Sequence, residues 1–376
     1  MIATELTLAH QRDTVTLSAL VRLERFPCRT ERLWWRFPAE YGDCLRLNGD
    51  PLLPALLLPA MARGERLLIE APVSEQLLAN IPKIQDLFIQ WHLPVRHIEV
   101  NAPVERNRSG SGPAVGCYFS CGVDSFYSLL KNDELPAGDK ARITHLIFLN
   151  GFDIKFKRHA LYQRIRSHII GTSEMLDKRC VEASTNLKSF GAKSIAWQFY
   201  WGSVLASIGL ALGPLFNTVI VASSYAWHLH QQHPDGSHPE LDILWSTERT
   251  SFLHDGCEVT RAEKIVTRVA CSEMALEHLH VCWRNRNVVY NCGVCEKCLR
   301  TMIALYARTG KTSWPNFSEP LQIENILALK DLSASAKLFA GENMDLLAGQ
   351  DGFGEKVREA LRTVLATSER QARRQR

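Results

Sequence analysis

The stretch AVGCYFSCGVDSFYSLL (Ala114–Leu130) decides how this chain is read. Ala114 to Phe119 is a short apolar run with the character of a buried strand. A tight turn follows, and from about Asp124 the pattern turns helical, with Phe126, Leu129 and Leu130 on one apolar face. A buried strand that feeds a helix through a short turn is the opening unit of a parallel α/β sheet, whose ligands bind at the carboxyl ends of the strands. The first N–H groups of a helix lack intrahelical partners and carry partial positive charge. Ser120-Cys121-Gly122-Val123-Asp124-Ser125 is therefore shaped to receive an anion, with the Ser120 and Ser125 hydroxyls as further donors. A plain capped turn, with Ser120 or Asp124 as N-cap, is the competing reading.

Working outward, strand and helix alternate. Ile143–Leu149 reads as a strand, Leu161–Lys178 as a helix, and Cys180–Ala183 as a strand. A helix over Ser203–Leu212 and a strand over Thr218–Ala222 complete the series. This pattern predicts an α/β fold, a parallel doubly wound sheet covered on both faces, over residues 106–310. Residues 1–105 read as a separate α+β module of unassigned role. Its expected strands are Thr14–Glu24, Leu33–Phe37, Arg66–Glu70 and Val95–Val100, and Ser74 is expected to cap a helix reaching about Trp91 that Pro82 breaks or kinks. The solvated linker Glu105–Pro113 should carry few contacts across it. Residues 311–376 read as a helical extension in three short pieces, ending in a frayed basic tail.

Composition narrows the classes. Of 376 residues 46% are hydrophobic and 22% charged, which excludes a disordered chain, and a formal charge of +4 gives no reason to expect nucleic acid as a partner. Ser194 to Trp227 contains no charged side chain. Gly202, Gly209, Gly213, Pro214 and Asn217 break it into a buried helix and a buried strand, so no membrane span is expected. The 11 cysteines with tight spacing and no secretory leader point to metal binding in a reducing compartment, and a cytoplasmic location is expected.

Cys282, Cys292, Cys295 and Cys298 stand in C-x9-C-x2-C-x2-C order. Four thiolates complete a tetrahedral Zn²⁺ shell with no open position, so the expected site is structural, with an iron–sulfur cluster as the alternative.

Two motifs carry a resemblance. Ser120-x-Gly122-Val123-Asp124-Ser125 after a strand resembles the pyrophosphate loop of the ATP pyrophosphatases, which have the adenine nucleotide α-hydrolase fold. The segment CWRNRNVVYNCGVCEKCLRT, with Lys264 upstream, resembles the zinc segment and phosphate-contacting lysine of the 7-cyano-7-deazaguanine synthase branch of queuosine biosynthesis. The match covers Ala114 to about Tyr306, with Cys121 in place of the family's first glycine and Arg300 one residue nearer the last cysteine. The resemblance implies an ATP-dependent ligase that adenylates a carboxylate or amide, releases pyrophosphate and lets ammonia or an amine displace AMP. It implies ATP and Mg²⁺ on the loop, Zn²⁺ on the cysteines, and catalytic roles for Lys264, Asp124 and Ser125. Read alone, Lys264 is one exposed cation on an ordinary helix.

Cys121 admits two readings. A thiol at a helix N-terminus has a lowered pKa and serves as a nucleophile; alternatively it is a tolerated small residue, strained wherever φ must be positive. The loop Gly236–Asp242 and its continuation to Glu248 should overhang the sheet edge, making His238, Asp242 and Glu248 candidate substrate contacts, with Thr185 and Asn186 weaker ones. The expected partner is a small carboxylate-bearing molecule or a protein, and the chain is compatible with a homodimer. A tRNA-modifying enzyme of the same fold and a non-catalytic nucleotide-binding protein are the other readings.

Overall fold

The computed structural model describes residues 1–105, 110–152, 158–230, 234–282, 284 and 290–374. Residues 106–109 of the expected linker and 375–376 of the basic tail lie outside them, as do 283 and 285–289 of the cysteine segment.

Alternation in the sequence builds the first strands. β1 (Ile2–His10), β2 (Thr14–Leu23) and β3 (Arg29–Pro38) form an antiparallel meander. Along β2, Val15, Leu17, Ala19, Val21 and Leu23 are buried in turn while their neighbours face outward. The short strands β4 (Leu67–Ile69) and β6 (Val100–Asn101) continue this part of the sheet in parallel beyond β1. β5 (Val73–Ser74) and β7 (Val104–Glu105) pair separately. Of the expected Val95–Val100 strand only its last residue is in β6.

The second series is parallel. β8 (Ala114–Tyr118), β9 (His145–Asn150), β10 (Arg179–Thr185), β11 (Phe216–Ala222) and β12 (Ser251–Asp255) lie in the order β12-β11-β8-β9-β10. Numbered within the series this is 5-4-1-2-3, so the winding direction reverses between β8 and β11. That reversal is the switch point of a doubly wound sheet, where the carboxyl ends of two neighbouring strands splay apart. Successive residues feed opposite cores: Val115, Cys117 and Phe119 face one, Ala114 and Tyr118 the other.

The two series are one sheet. β10 pairs antiparallel with β3 through Ser184 with Arg36 and Thr185 with Trp35, which gives ten strands in a mostly parallel sheet. The expectation that few contacts cross between the first module and the rest is thus overturned. A free β10 edge would leave a row of unpaired backbone groups, and β3 satisfies them. One core holds β2, β3 and the helices Leu52–Arg63, Glu75–Gln90 and Trp197–Ala211. Trp35 lies in it, fully buried, with its indole N–H donating to Ser207 Oγ at 2.8 Å. The opposite core holds helices Val123–Asp133, His159–Met175 and Glu296–Thr309 together with the C-terminal extension.

Several expectations change. Ser74 caps Glu75–Gln90 as expected, its Oγ accepting from Leu77 N at 3.0 Å, but the helix runs through Pro82 without interruption. Helix Leu52–Arg63 has apolar residues all round, so no period marks it; Pro54 falls in its first turn, where no N–H bond is needed. The extension's last piece is a long helix, Phe353–Arg374, that buries Val357, Ala360, Leu361 and Val364. The basic tail is its continuation rather than a frayed end. Among the described residues no helix is long and apolar enough to cross a membrane.

Trp35→Ala should cost about 3–5 kcal/mol, as for other large buried aromatics. Because one sheet spans both series, denaturant melts followed by tryptophan fluorescence and by far-UV dichroism should shift together. Separate transitions, with only one displaced, would contradict the single-sheet account.

Candidate functional site

The turn after β8 sits at the switch point. Cys121 has φ +58°, the left-handed region, and Gly122 is the N-cap of helix Val123–Asp133 without a capping side chain. A side chain at that φ costs roughly 1–2 kcal/mol, so the surroundings must hold it. They do so through Cys121 O, which accepts from His280 N at 2.8 Å, and through burial of the side chain in the core. The thiol is fully buried, and burial pushes its pKa well up. The nucleophile reading of Cys121 therefore has no support, and the strain expected of a non-glycine there is present. Ser125 Oγ donates to Gly122 O at 3.1 Å, and Gly122 N donates to Ser120 Oγ at 3.3 Å, while Ser120 stays exposed at the mouth of the turn.

Asp124 faces three cations. Its Oδ2 accepts from Arg261 Nη1 and from Ser224 Oγ at 3.3 Å, and its Oδ1 lies 3.7 Å from Lys264 Nζ. Helix Arg261–Thr267, closed by a Thr260–Glu263 capping box, presents Arg261 and Lys264 one turn apart on one face. Lys264 is fully buried rather than an exposed cation, and its Nζ donates to Ser223 O at 2.5 Å at the end of β11. Burial pulls the Lys264 pKa down, against the opposing pull of Asp124. Burial also pushes the Asp124 carboxyl up, but Arg261 and Lys264 outweigh it and hold it below the ordinary range.

Arg300 is the third cation, lowered to about 10 by burial and by Arg261. Its guanidinium lies 4.2 Å over the ring of Phe339, which in turn stacks on Tyr225 at 5.6 Å. Glu342 from the same helix, Ala334–Leu346, accepts from Ala262 N at 3.1 Å, and burial raises its pKa. The C-terminal extension thus supplies one wall of the site. Arg261 and Lys264 share the carboxylate of Asp124, and Arg300 pairs with Glu296 at 3.4 Å, which leaves an excess of positive charge around Asp124.

The cysteines converge. Sγ atoms of Cys282, Cys292, Cys295 and Cys298 lie within 4.8 Å of one another, with Cys282–Cys295 and Cys292–Cys298 both at 3.9 Å. Tetrahedral Zn–S bonds of about 2.3 Å require S···S spacings near about 3.8 Å. The thiols fit such a metal, and Cys295 and Cys298 sit at the start of helix Glu296–Thr309. The segment entering this site, His278–Cys282, is the one that donates to Cys121 O. Turn, lysine and cysteines, read separately along the chain, are brought together.

The candidate substrate contacts are not brought to that crevice. Glu248 accepts from Ser74 Oγ and Gln76 N, each at 2.8 Å, and so caps the helix Glu75–Gln90. Thr185 Oγ1 donates to Trp34 O at 2.7 Å, and Asn186 Oδ1 accepts from Trp34 N at 3.0 Å. All three fasten the two strand series together. Asp242 is buried, accepting from Ser237 Oγ at 2.6 Å and bonding His254 Nδ1 at 2.8 Å. His254 continues to His230 at 3.2 Å, and His230 to Ser223 Oγ at 2.9 Å. His238, also buried, caps the short helix Pro239–Asp242. This loop lies directly on helix Trp197–Ala211, because a Cβ on Gly202 would stand 1.8 Å from Gly236 O.

Arg261, Arg300, Glu342, His230 and His254 were missed from sequence. Arg261 carried a signal, standing three residues before Lys264 on one helix face. No protein-family description, curated protein or solved structure matches this chain.

Buried neutral histidines make stability depend on pH. Burial and its charged neighbours pull His230 down to about 3, and burial pulls His145 to about 4, from an ordinary 6.5. The unfolded chain protonates first as pH falls, so their contribution is complete above about pH 6.5 and lost toward acid. Stability should fall between pH 7 and 5 with a slope of up to about 1.4 kcal/mol per pH unit per histidine. Urea melts of the intact protein and of His230→Gln check this. The variant should show the shallower slope, and equal slopes would contradict the assignment.

Proposed function

We propose that this protein binds Mg-ATP with the β- and γ-phosphates on the Ser120–Ser125 turn and uses it to adenylate a carboxylate or amide. The observation that carries the reading is the excess of buried positive charge beside the helix N-terminus at the switch point. Burying Arg261 and Lys264 against one shared carboxylate, Asp124, is costly unless an anion offsets it, while Arg300 beside them pairs with Glu296. A polyphosphate matches that charge and reaches the first N–H groups of helix Val123–Asp133. The adenine nucleotide α-hydrolase type of sheet and the 7-cyano-7-deazaguanine synthase branch are the resemblances that name the chemistry. Its fold-level support is the 5-4-1-2-3 strand order with the turn after the first strand of the series.

Bound Mg-ATP supplies the activation: a substrate oxygen bonds to the α-phosphorus, the bond to the bridging oxygen breaks, and pyrophosphate leaves. An amine then displaces AMP at the acyl carbon, losing its proton to a base. Lys264 and Arg261 hold the charge that collects on the leaving pyrophosphate. Their contact with Asp124 has to loosen as phosphate enters, so Asp124 is the resident counter-ion of the empty site. Mg²⁺ would arrive on the phosphates, and Asp124, once loosened from Arg261, is the carboxylate at hand to assist it directly or through water. The zinc-type cysteine site takes no part in bond making; its four thiols leave no open position.

The test is product identity. Purified protein with Mg-ATP, ammonium and a panel of carboxylates should release AMP and pyrophosphate. ADP and phosphate would overturn α-phosphate chemistry, and binding without turnover across the panel would favour a nucleotide-binding role. Lys264→Met should weaken ATP binding about 30-fold, the value of one charged hydrogen bond near 2 kcal/mol, in a calorimetric titration. Unchanged affinity would remove Lys264 from the site.

A further inference from the structure

The phosphate turn is not self-supporting. Its Cys121 stands at φ +58°, where glycine would rest without strain, and the backbone hydrogen bond that holds it comes from the neighbourhood of the cysteine cluster. His280 N donates to Cys121 O at 2.8 Å, and the Tyr290 hydroxyl donates to His278 O at 2.6 Å, two residues before His280, so it holds the segment that grips the turn. Tyr290 is buried and stacks on His168 at 4.2 Å, which fixes its ring. Asn291, wholly buried, ties the same stretch from behind: its Oδ1 accepts from Val281 N at 2.8 Å and Cys282 N at 3.2 Å, and its Nδ2 donates to Leu279 O at 2.8 Å. His280 stands two residues before Cys282, and Tyr290 and Asn291 directly precede Cys292, so residues flanking two of the cysteines are the ones that grip the turn.

We infer that metal at the cysteine cluster holds the phosphate turn in its anion-binding shape, with Tyr290 as the positioning residue that links the two. This rests on the reading of the turn as a nucleotide site. A metal bridging Cys282 to Cys292, Cys295 and Cys298 keeps His280 and Tyr290 against Cys121. With the bridge open, the His280 hydrogen bond that opposes relaxation of Cys121 to negative φ is weakened, and the N–H groups of the turn leave their common focus. A metal centre far from any reaction step thereby sets affinity for phosphate, and its oxidation or loss would silence the site.

The experiment uses the full-length, metal-loaded protein, its metal content measured by mass spectrometry and Mg-ATP as the probe. Tyr290→Phe keeps the stacked ring and loses only the hydroxyl. It should retain metal and melting temperature, weaken Mg-ATP binding about fivefold to tenfold, the worth of one neutral hydrogen bond, and speed alkylation of Cys121. Cys117, buried in β8 on the adjoining strand, reports general unfolding and should stay protected. Cys121→Gly added to Tyr290→Phe should restore affinity, because glycine takes positive φ unaided. A merely structural tyrosine would not be rescued in this way.

Metal-loaded Tyr290→Phe that binds Mg-ATP as the parent does, with Cys121 no more reactive, overturns the inference. A parent protein that binds no Mg-ATP at all overturns the nucleotide reading instead. In that case the contrast between Cys121 and Cys117 alkylation still decides whether Tyr290 holds the turn.

Discussion

Three cations packed around Asp124 set the terms for the rest of this structure. Arg261, Lys264 and Arg300 come from two helices, Arg261–Thr267 and Glu296–Thr309, and meet the carboxylate at the start of a third, Val123–Asp133. Each must give up hydration to be there, and the lowered pKa values of Lys264 and Arg300 register that cost. Asp124 offsets part of it. The rest is spread over the carbonyl of Ser223, the ring of Phe339, Glu296, which pairs with Arg300, and Glu342, whose carboxyl burial pushes up. Such a centre is stable only if its neighbours are fixed in place, and much of the surrounding architecture does that fixing.

The extra parts of the chain read differently in this light. The first strands extend the same sheet beyond β10, and Thr185, Asn186 and Glu248 are the fasteners. The C-terminal extension covers the opposite face and reaches the cation cluster with Phe339 and Glu342. Neither part is an independent appendage. Both stiffen the sheet edge on which the cluster is mounted, as a buried ionic site demands.

Local patterns were legible where a period or a cap announces itself. The alternation of Thr14–Leu23, the apolar runs of β8 and β11, and the Ser74 cap are all carried by neighbouring residues. Helix Leu52–Arg63 was not legible, because a helix buried on every side has no polar face to set its period. Edge strand β12, Ser251-Phe-Leu-His-Asp, mixes polar and apolar residues without a run long enough to stand out. At the site, the turn was found by its place between strand and helix and the four cysteines by their spacing, while Lys264 was singled out only by the resemblance. Arg300, Glu342 and the His230–His254–Asp242 chain depend on contacts between residues far apart in sequence. Glu248 has the residue type of a substrate contact, and only its partner Ser74 places it at the seam between the two strand series, while Asp242 leads through His254 and His230 to Ser223 beside Lys264.

The central claim is that the positive charge gathered at the switch point exists to hold phosphates. The most direct measurement is a crystal structure of the protein soaked with α,β-methylene-ATP and Mg²⁺. The account predicts terminal phosphates seated between the N–H groups of Gly122 to Ser125 and the Arg261 and Lys264 side chains, with Asp124 drawn away from Arg261. Phosphates bound elsewhere, or a turn left empty with the Asp124–Arg261 pair intact at saturating nucleotide, would contradict it.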